Sequence, residues 1–571
     1  MRILFSTSSF GFLRNFQSTV RLLAQRGHEI HLYAERTDTV DGQKIADTLA
    51  AEFPSITLGM IPSSRHRLWY TLGTGARASL DYWRYLDPRW DHSPKLRDRG
   101  AAMAPAFARV LPRIPLIGSG PALRGWQAVC RAIDRALPPP REVADLLRKI
   151  DPDVLLLTPL LYFRSHQVDH VRCARRAGIK SIVGIGSWDH LTTKGLLHEV
   201  PGRVLVWNDA QKQEAIELHG VPAERIRVTG SQAYDHWFAT TPSTSREQFS
   251  AQTGLDPGRQ MLLYLCSSSF IAPYEAGFVR QWAAAIRASN DARLRDAALL
   301  VRPHPQNAEQ WRDVDLGAEF GQAAVWPRQG VNPIGGAARS DYFDSMYHAD
   351  AVVGVNTSGM IESGIIGRPV YAVQVEEFAA TQDGTLHFQH LKNVDGGLLH
   401  LSSTLDEHIA QLERLPSEGE AGRQKARRFI QAFVRPRGLE HAATPFVVAE
   451  IEQYAAAAAL VPESERASAG LARVALAPLA FVLTFVATDP VKRRAILLHW
   501  TRPARLMLRT LWSRAVYATR ALRRLPRHAV ALTARAINIV LVRPIRLLVR
   551  GVKLLVHNWL ARRKGEPGQA A

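Results

Sequence analysis

Short apolar runs rich in valine, isoleucine and leucine recur along the chain and alternate with segments whose apolar residues follow a helical spacing. An uninterrupted apolar run fits a parallel strand that is buried on both faces. The predicted strands are residues 2–5, 30–34, 153–157, 181–185, 203–206, 261–265, 297–301, 351–355 and 370–373. The predicted helices include residues 15–25, 164–177, 210–219, 360–366 and 418–454. This alternation predicts an α/β protein with parallel sheets.

The length of 571 residues exceeds what one hydrophobic core supports, so we expect two α/β domains and an extension. The first domain covers residues 1–240 and contains an insertion around 62–140 whose pattern is irregular. A linker rich in Ser and Thr follows it, and the second domain covers residues 241–455. Because the first strand is not followed by G-x-G-x-x-G, no dinucleotide cofactor is predicted.

The formal net charge of +20 is concentrated at one end of the chain. Residues 491–571 contain 19 Lys and Arg against one acid, whereas the rest of the chain contains 53 against 51. The extension 456–571 is therefore predicted to be a basic amphipathic helical tail that lies on an anionic membrane surface. Packing against the body or a partner protein is the first alternative, and nucleic-acid binding is the weakest.

Residues 474–488 are apolar apart from two threonines, but they are shorter than the ~20 residues that a spanning helix needs. We therefore expect an interfacial, re-entrant or core segment there. Three widely separated cysteines predict neither a disulfide framework nor a zinc site, and the N-terminus has no signal-peptide pattern. These features predict a cytoplasmic protein, peripherally associated with the inner face of the cell membrane.

Three predicted strands of the second domain end in polar turns. One runs into Asn356-Thr357-Ser358-Gly359 at a helix start, where unpaired backbone N–H groups and the helix dipole favour a phosphate. Another runs into Arg302-Pro303-His304-Pro305, whose Arg and His suit a diphosphate leaving group. The third is followed by Ser267-Ser268-Ser269, a second possible phosphate cradle. Because the carboxyl ends of parallel strands meet at one edge of a sheet, the three turns predict one nucleotide site.

Arg302-Pro303-His304-Pro305, followed by the hydroxyl- and glycine-bearing turn with Glu362 behind it, resembles the nucleotide-binding half of GT-B glycosyltransferases. The nearest branches are bacterial capsule-type sugar transferases with an HP motif, CDP-glycerol glycerophosphotransferases and UDP-N-acetylglucosamine 2-epimerases. The resemblance, which covers chiefly the second domain, implies a GT-B fold: two Rossmann-like domains that face a cleft. It also implies that the last helix, residues 445–454, crosses back to the first domain.

The resemblance further implies that His304 contacts the donor phosphate, that the Thr357 turn holds phosphate and that Glu362 binds the ribose hydroxyls. The predicted nucleotide and phosphate contacts are Ser267, Ser268, Ser269, Arg302, His304, Thr357, Ser358, Gly359 and Glu362. The implied donor-sugar contacts are Asp383, Gly384, Thr385 and His387. Neither a cofactor nor a metal is implied, because helix dipoles and cations stabilise the leaving diphosphate. A metal site formed by Glu376, His387 and His390 is the alternative for this loop.

Two polar loops of the first domain follow predicted strands and would face the same cleft. The loop Ser8-Ser9-Phe10-Gly11 is predicted to lie on the acceptor side, the alternative being an ordinary strand-to-helix turn. Another loop carries Asp189 and His190, either of which could take the acceptor proton, so these two and His304 are the catalytic candidates. The alternative for Asp189 is a helix cap.

Aromatic residues with interleaved arginines in the insertion suit a lipid-linked or glycan acceptor. They are Trp69, Tyr70, Tyr82, Trp83, Tyr85 and Trp90. Packing of these rings against the first domain and stacking on nucleic-acid bases are the alternatives.

Taken together, the motifs predict a glycosyltransferase that moves a sugar from a nucleotide-activated donor to a membrane-associated or surface-glycan acceptor, as surface polysaccharide biosynthesis requires. A glycerophosphotransferase or a nucleotide-sugar epimerase on the same fold is the alternative among enzymes. A non-catalytic scaffold that binds membrane or nucleic acid is the alternative of another class. Against the scaffold, a site released from chemistry need not keep His304, Glu362 and a dense Ser/Thr lining.

Overall fold

The computed structural model describes residues 1–37, 41–62, 68–118, 120–464 and 467–487. The chain divides into two compact units, Met1–Thr484 and Phe485–Ala571. The first unit contains both sheets. Nearly all of the second unit, including the basic segment 491–571 on which the predicted tail rests, lies outside the described residues.

The first domain is built on a parallel sheet that has seven strands in the described part of the chain, in the order β3-β2-β1-β4-β5-β6-β7. Its strands are β1 Arg2–Thr7, β2 Glu29–Ala34, β3 Ile56–Met60, β4 Val154–Thr158, β5 Lys180–Gly184, β6 Arg203–Val206 and β7 Ile226–Val228. The order steps outward from β1 in both directions, as in a Rossmann fold. Every residue of β4 is buried, because helices cover both faces of the sheet.

The second domain repeats this plan with a parallel sheet of six described strands, in the order β10-β9-β8-β11-β12-β13. Its strands are β8 Met261–Leu265, β9 Ala298–Arg302, β10 Ala323–Val325, β11 Ala351–Gly354, β12 Val370–Val373 and β13 Leu399–Ser402. The register pairs Leu265 with Arg302 and with Gly354, so the strands that precede the three polar turns end side by side.

The strand orders confirm the predicted fold class, and all the predicted strands are present. The sequence pattern missed β3, β7, β10 and β13. Each is an edge strand that is short or partly exposed, and in β3 only one residue of five is buried. An edge strand carries a mixed sequence that resembles a loop, since it packs against only one neighbour.

Helices cover both faces of each sheet. The helices before the linker are α1 Gln17–Gln25, α2 Gly42–Glu52, α3 Tyr70–Arg84, α4 Pro94–Met103, α5 Ala106–Val110, α6 Gly120–Ala136, α7 Arg141–Ile150, α8 Gln167–Ala177, α9 His190–Thr193, α10 Asp209–His219 and α11 Asp235–Ala239. The later helices are α12 Arg246–Thr253, α13 Glu275–Arg287, α14 Ala292–Arg295, α15 Leu316–Phe320, α16 Gly336–Tyr347, α17 Gly359–Ile366, α18 Leu386–Asn393, α19 Leu405–Glu413, α20 Leu415–Phe433, α21 Ala443–Ala456 and α22 Ala467–Ala487.

The insertion is helical rather than irregular, which corrects the prediction for residues 62–140. Helices α3 to α6 pack on one another, and Trp83, Tyr85 and Trp90 are at most 1% exposed. Trp83 lies in the core of the insertion, and Tyr85 and Trp90 pack with Phe163 and Leu218 of the first domain. These three rings therefore offer no surface to an acceptor. A buried ion-pair network ties the insertion to α8, with Asp134 between Arg77 at 3.2 Å and Arg172 at 2.6 Å.

The last helix of the second domain returns to the first, as the resemblance implied. Val447, Val448 and Ile451 of α21 lie in the hydrophobic core of the first domain together with Ile3 and Ile30. Helix α22 follows and contains Pro478. It is six residues longer than the apolar stretch 474–488 that the sequence pattern indicated, because the preceding alanine-rich turns are also helical.

Candidate functional site

A cleft of about 270 Å³ lies where the carboxyl ends of the two sheets face each other. The first domain contributes Arg14, Asn15, Gly186 and Ser187, and the segment that leads to the linker contributes Tyr234, His236 and Trp237. The second domain contributes Arg302, His304, Thr357, Ser358 and Glu362 among others. The predicted HP motif, the hydroxyl turn and the acid behind it thus meet in one cavity, at the place where open α/β sheets bind ligands.

His304 lies at the carboxyl end of β9 and begins the next turn. The backbone N–H of Gln306 donates to its Nδ1 at 3.1 Å, so Nδ1 is unprotonated and the ring proton is on Nε2. Burial, helped by the charge of Arg14, lowers the pKa of His304, which keeps the ring neutral at neutral pH. His304 is therefore arranged to donate one hydrogen bond from Nε2 to an oxygen in the cleft.

Arg302 lines the same cleft but is already paired. Its Nη2 donates to Asp341 Oδ2 at 2.7 Å, and its guanidinium lies over the ring of Tyr342 at 5.0 Å from the centroid. Trp326 Nε1 donates to the other oxygen of the same carboxylate at 2.8 Å. Arg302 adds positive potential beneath the cleft, while its geometry is fixed by Asp341.

The start of α17 forms the hydroxyl-bearing wall of the cleft. Thr357 and Ser358 line the cavity, and Ser358 is exposed. Gly359 is buried beneath them, where an added Cβ would lie 2.8 Å from both Leu265 Cδ1 and Tyr342 Oη. A side chain at this position would thus displace the tyrosine. The N–H groups at the start of an eight-residue helix complement an anion in the cleft.

Glu362 lies one turn into α17 and also lines the cleft. Tyr342 Oη donates to its Oε2 at 2.8 Å. Burial raises the pKa of Glu362 to about 7, although the hydrogen bond from Tyr342 and the charge of Arg14 oppose the shift. A partly buried carboxylate with one oxygen in use retains acceptor capacity for hydroxyl groups.

The three serines after β8 lie outside the cleft, in contrast to the predicted cradle. Among the described lining residues, β8 and its following turn contribute only Leu265 and Cys266. The N–H of Ser267 donates to Glu275 Oε2 at 2.7 Å, and Ser267 is fully buried. Burial raises the pKa of Glu275 to about 8. The Ser267 amide is occupied by this internal bond, and neither Ser268 nor Ser269 is among the described residues that line the cleft.

Arg14 is one of the cleft residues that the sequence analysis missed. It is exposed, and its guanidinium makes no hydrogen bond or ion pair with any described residue. Its charge lowers the pKa of both His304 and Glu362, which places it near both groups. Its position shortly after the loop Ser8–Gly11 was the available signal, since that loop follows the first strand at the cleft edge.

Asp189 and His190 lie behind the cleft wall. Asp189 accepts from Ser187 Oγ at 2.5 Å and from Thr193 Oγ1 at 2.8 Å, and Lys194 Nζ is 3.5 Å away. Burial alone would raise the pKa of Asp189, but Lys194, His190 and His387 hold it well below its usual range. A carboxylate that is this well satisfied is a weak base, so the geometry favours a structural role for Asp189. Asp189 stands at the N-cap position of α9, but its side chain accepts from hydroxyl groups and does not cap the backbone N–H groups.

His190 is buried, and burial lowers its pKa to about 4. Its ring packs edge-on against Tyr162 at 6.0 Å between centroids. Neither His190 nor Asp189 is among the described residues that line a cavity.

The loop predicted to contact the donor sugar packs against other parts of the protein. Asp383 is exposed and pairs with Lys392 Nζ at 2.7 Å, while the carbonyl of Gly384 accepts a hydrogen bond from Ser93 Oγ in the insertion. Thr385 is buried and donates to the carbonyl of Gln382 at 2.9 Å. His387 is buried edge-on against Trp188, with 4.7 Å between centroids. None of the four is among the described residues that line either cavity.

The alternative metal site finds no support in the side chains that would form it. His390 Nε2 lies 2.6 Å from Glu214 Oε1, and His387 packs on Trp188. Across the described ranges, no group of three or more His, Cys, Asp or Glu side chains is placed to hold a metal ion.

A second cavity of about 380 Å³ lies wholly in the first domain, at the carboxyl ends of β1 and β2 and beside the turn after β4. Ser8 lines it together with Arg36, Tyr70, Tyr162 and His166. Of the other residues predicted for the acceptor side, Ser9 and Phe10 are buried, and Phe10 belongs to the domain core. Gly11 does not line this cavity. Ser8 and Arg14 belong to one segment, which therefore borders both cavities.

Comparison with known proteins finds fold matches alone, since no protein-family model and no curated protein matches the chain. A glycosyltransferase from Rickettsia africae is 10% identical, with 80% of this chain and 99% of that chain covered and a TM-score of 0.45. The UDP-GlcNAc 2-epimerase from Methanocaldococcus jannaschii is 11% identical, with 80% and 100% covered and a TM-score of 0.44. WaaG, a glycosyltransferase involved in lipopolysaccharide biosynthesis, is 11% identical, with 80% and 100% covered and a TM-score of 0.41. The order and direction of its own strands, with the last helix returned to the first domain, give this chain a GT-B architecture.

Proposed function

We propose that this protein is a glycosyltransferase that uses a nucleotide-activated sugar. The observation that carries the proposal is the cleft in which His304, Glu362 and the start of α17 from one domain face Arg14 from the other. Donors for a diphosphate and an acceptor for ribose hydroxyls thus share one cavity between two Rossmann-like domains. This set of groups suits a nucleoside diphosphate sugar.

In the proposed mode of binding, the diphosphate lies at the start of α17, where the backbone N–H groups and Nε2–H of His304 donate to its oxygens. Arg14 contacts the diphosphate from the first-domain side, and the Glu362 carboxylate accepts hydrogen bonds from the ribose hydroxyls. During transfer, an acceptor hydroxyl oxygen bonds to the anomeric carbon and its proton is lost to solvent, while the bond from that carbon to the diphosphate breaks. The electron pair leaves on the phosphate oxygen, whose charge these donors stabilise.

The second cavity supports transfer over epimerisation. Its wall includes Arg36, Tyr70 and His166, which offer both stacking surfaces and hydrogen-bonding groups to a polar ring. An epimerase needs no acceptor cavity, and neither does a scaffold. We infer that the acceptor binds there and that the Ser8–Arg14 segment forms the boundary across which the sugar passes. A membrane-associated or surface-glycan acceptor fits this proposal, as does a location at the inner face of the membrane.

A panel of UDP, CDP and GDP tests the donor site by thermal shift. We expect one of the three nucleotides to raise the melting temperature of the wild type at millimolar concentration. The same nucleotide should raise the melting temperature of a His304→Ala variant much less. Ser269→Ala is the matched control, because Ser269 is exposed and outside the cleft. If no nucleotide stabilises the protein, the enzyme proposal fails and the scaffold alternative replaces it.

Mass analysis of the products then separates the enzyme classes. Slow hydrolysis of the matching nucleotide sugar, releasing the free sugar, is expected of a transferase that lacks its acceptor. Interconversion of two nucleotide sugars without release would instead identify an epimerase, and release of the CMP half of CDP-glycerol would identify a glycerophosphotransferase.

A further inference from the structure

Helix α22 presents an apolar face to solvent. Leu471, Val474, Leu479 and Val482 are 77%, 73%, 47% and 50% exposed, and they recur three to five residues apart on one side of the helix. Within the described residues it is the one helix long and apolar enough to span a membrane, from Ser468 to Phe485, and only 11% of that window is buried. A surface helix of a water-soluble body normally carries polar residues on this side.

The opposite face of α22 is fixed to the insertion. Ala480 is fully buried with Leu72 and Leu137. Arg473 Nε donates to the carbonyl of Ala136 at 2.7 Å, and Thr484 Oγ1 donates to the carbonyl of Leu68 at 2.8 Å. These two contacts are about 16 Å apart along the helix axis. A helix held along its side over this length cannot cross a bilayer without drawing the insertion into the lipid, so only its outer face is available to a membrane.

The exposed apolar surface continues onto α6. Trp126, Val129, Ile133 and Leu137 are spaced three or four residues apart and therefore lie on one side of that helix. Helix α22 covers Ile133 and Leu137, whereas Trp126 and Val129 remain 39% and 46% exposed. The apolar stripe of α6 thus runs out from beneath α22 into solvent.

The segment before α6, which includes α5, adds further exposed apolar side chains. Phe107 and Val110 are each 53% exposed, Ile114 and Ile117 are 39% and 43% exposed, and Leu116 is 89% exposed. Isolated exposed apolar residues are ordinary on a protein surface, but a contiguous run of this kind marks an interaction site.

The charges around this surface have one sign. Between residues 103 and 135 the sequence has five arginines, all exposed, and one acid, Asp134, which is buried in the ion-pair network. The arginines are Arg109, Arg113, Arg124, Arg131 and Arg135. Residues 467–487 contain one arginine and no acid, and the chain that continues from them carries the net +18 of residues 491–571. Apolar side chains rimmed by cations complement an anionic lipid surface.

We propose that the exposed sides of residues 103–118 and 120–129 and of α22, here called the apolar–basic face, insert into one leaflet of an anionic bilayer. The helix lies in the plane of the interface, the apolar side chains enter the acyl boundary, and the arginines contact the phosphates. The described body thus has its own membrane-docking surface, whether or not the basic tail binds as well. Tyr70 of the second cavity lies between Leu68 and Leu72, which contact α22. If the proposed function holds, this cavity opens close to the bilayer and receives a lipid-linked acceptor.

Site-specific labelling of the full-length protein tests this proposal directly. Cys130, Cys173 and Cys266 are all buried, so an environment-sensitive fluorophore can be placed selectively on Leu116→Cys or Val474→Cys. Tyr274→Cys is the matched control, because Tyr274 is 79% exposed on the second domain. Vesicles of phosphatidylcholine with phosphatidylglycerol are added without nucleotide, so the result is independent of the proposed enzyme activity.

We expect emission from the labels at positions 116 and 474 to shift to the blue and to be quenched by lipids that carry a quencher in the acyl chain. The label at position 274 should do neither. Co-sedimentation without a shift at 116 and 474 would overturn the proposal, because the tail alone would then account for binding. So would a shift at all three positions, or the absence of binding.

Two further variants distinguish lipid from protein as the occupant. Leu116→Glu and Val474→Glu should each reduce partitioning onto the anionic vesicles by about tenfold or more, since each places a charge in the acyl boundary. Their melting temperature and their mass in solution should equal those of the wild type, because both side chains are exposed. A wild-type dimer that these variants dissociate, without a change in vesicle binding, would identify a second copy as the occupant and overturn the lipid assignment.

Discussion

Tyr342 of α16 donates a 2.8 Å hydrogen bond to Glu362 of α17 at the floor of the interdomain cleft. The ring of Tyr342 packs edge-on against Trp237, with 5.8 Å between centroids. Trp237 belongs to the segment that leads from the first domain to the linker. The acid that is proposed to bind ribose is thus oriented by a contact that depends on the relative position of both domains.

Nucleotide binding should depend on the protonation of Glu362, whose pKa burial raises to about 7. Ribose hydroxyls donate to the carboxylate, so the bound state favours the ionised form and binding releases a proton. Affinity should therefore rise as the pH is increased through about 7 and level off above it. Isothermal titration calorimetry in buffers of different ionisation enthalpy measures the proton release.

The Glu362→Gln variant is the control for this titration. It should bind more weakly at high pH and lose the dependence on pH. The raised pKa also means that the folded state holds a proton that the unfolded state releases between about pH 4.5 and 7, so this group destabilises the fold as the pH rises. The melting temperature of Glu362→Gln should accordingly exceed that of the wild type at pH 8 more than at pH 5. An equal difference at both pH values would contradict the assigned pKa.

Loss of the imidazole at His304 should weaken nucleoside diphosphate binding by roughly tenfold to a hundredfold, the worth of one hydrogen bond to a charged group. His304→Gln should recover part of the affinity, because an amide N–H can replace Nε2–H as the donor. Both variants should bind the free nucleoside as the wild type does. A comparable loss for the nucleoside would place His304 away from the phosphates.

Removal of the charge at Arg14 should weaken diphosphate binding and reduce its dependence on salt. The Arg14→Ala variant should also raise the pKa of Glu362 further, since the guanidinium charge now opposes that shift. The pH at which binding reaches half of its maximum should therefore move upward. Arg89→Ala is the matched control, because Arg89 is exposed in the insertion and pairs with Asp87; it should leave both properties unchanged.

Gly359→Ala should disturb the cleft through packing. The new Cβ would lie 2.8 Å from Leu265 Cδ1 and from Tyr342 Oη, so the tyrosine must move away from Glu362. Overpacking of this kind costs about 1–3 kcal/mol of folding free energy, and nucleotide binding should fall with it. Gly277→Ala in α13 is the control, since its Cβ meets nothing within 4 Å. Thermal and urea unfolding should show the control to be neutral or slightly stabilised.

Asp189→Asn distinguishes a base from a structural carboxylate. Because the pKa of Asp189 is held well below its usual range, its contribution to stability is present at neutral pH and is lost only as the pH falls through that low value. At pH 7 the variant should melt at a lower temperature than the wild type. Its unfolding free energy should be lower by about 1.5–3 kcal/mol. Ser187→Ala and Thr193→Val, which remove its partners, should reproduce part of that loss and reduce transfer in proportion. A specific loss of transfer in Asp189→Asn, with stability unchanged, would restore it as the base.

The prediction of the cleft from sequence worked where local pattern and topology agree. The strands β9 and β11 are apolar runs that end in polar turns, and parallel strands of one sheet end at one edge. These two facts are sufficient to bring His304 and Thr357 together. Glu362 follows from helical periodicity, because it lies one turn beyond the start of α17.

The prediction failed where a side chain is claimed by a partner that the local pattern does not reveal. The Ser267 turn has the composition of a phosphate cradle, yet its amide donates to Glu275 in the next helix. The aromatic residues of the insertion have the composition of a binding surface, yet Trp83 is buried between helices of the insertion and Trp90 is buried against Phe163 and Leu218 of the first domain.

The amino-acid pattern was sufficient for the class of fold, the succession of strands and the turns at which the cleft forms, because these depend on burial of apolar runs and on backbone geometry between near neighbours. Which turns reach the cleft, the approach of Arg14 to Glu362 and the exposed outer side of α22 were settled by packing between distant segments. The competition of buried polar groups for a limited number of partners is a property of the folded chain, and no short stretch of sequence contains it.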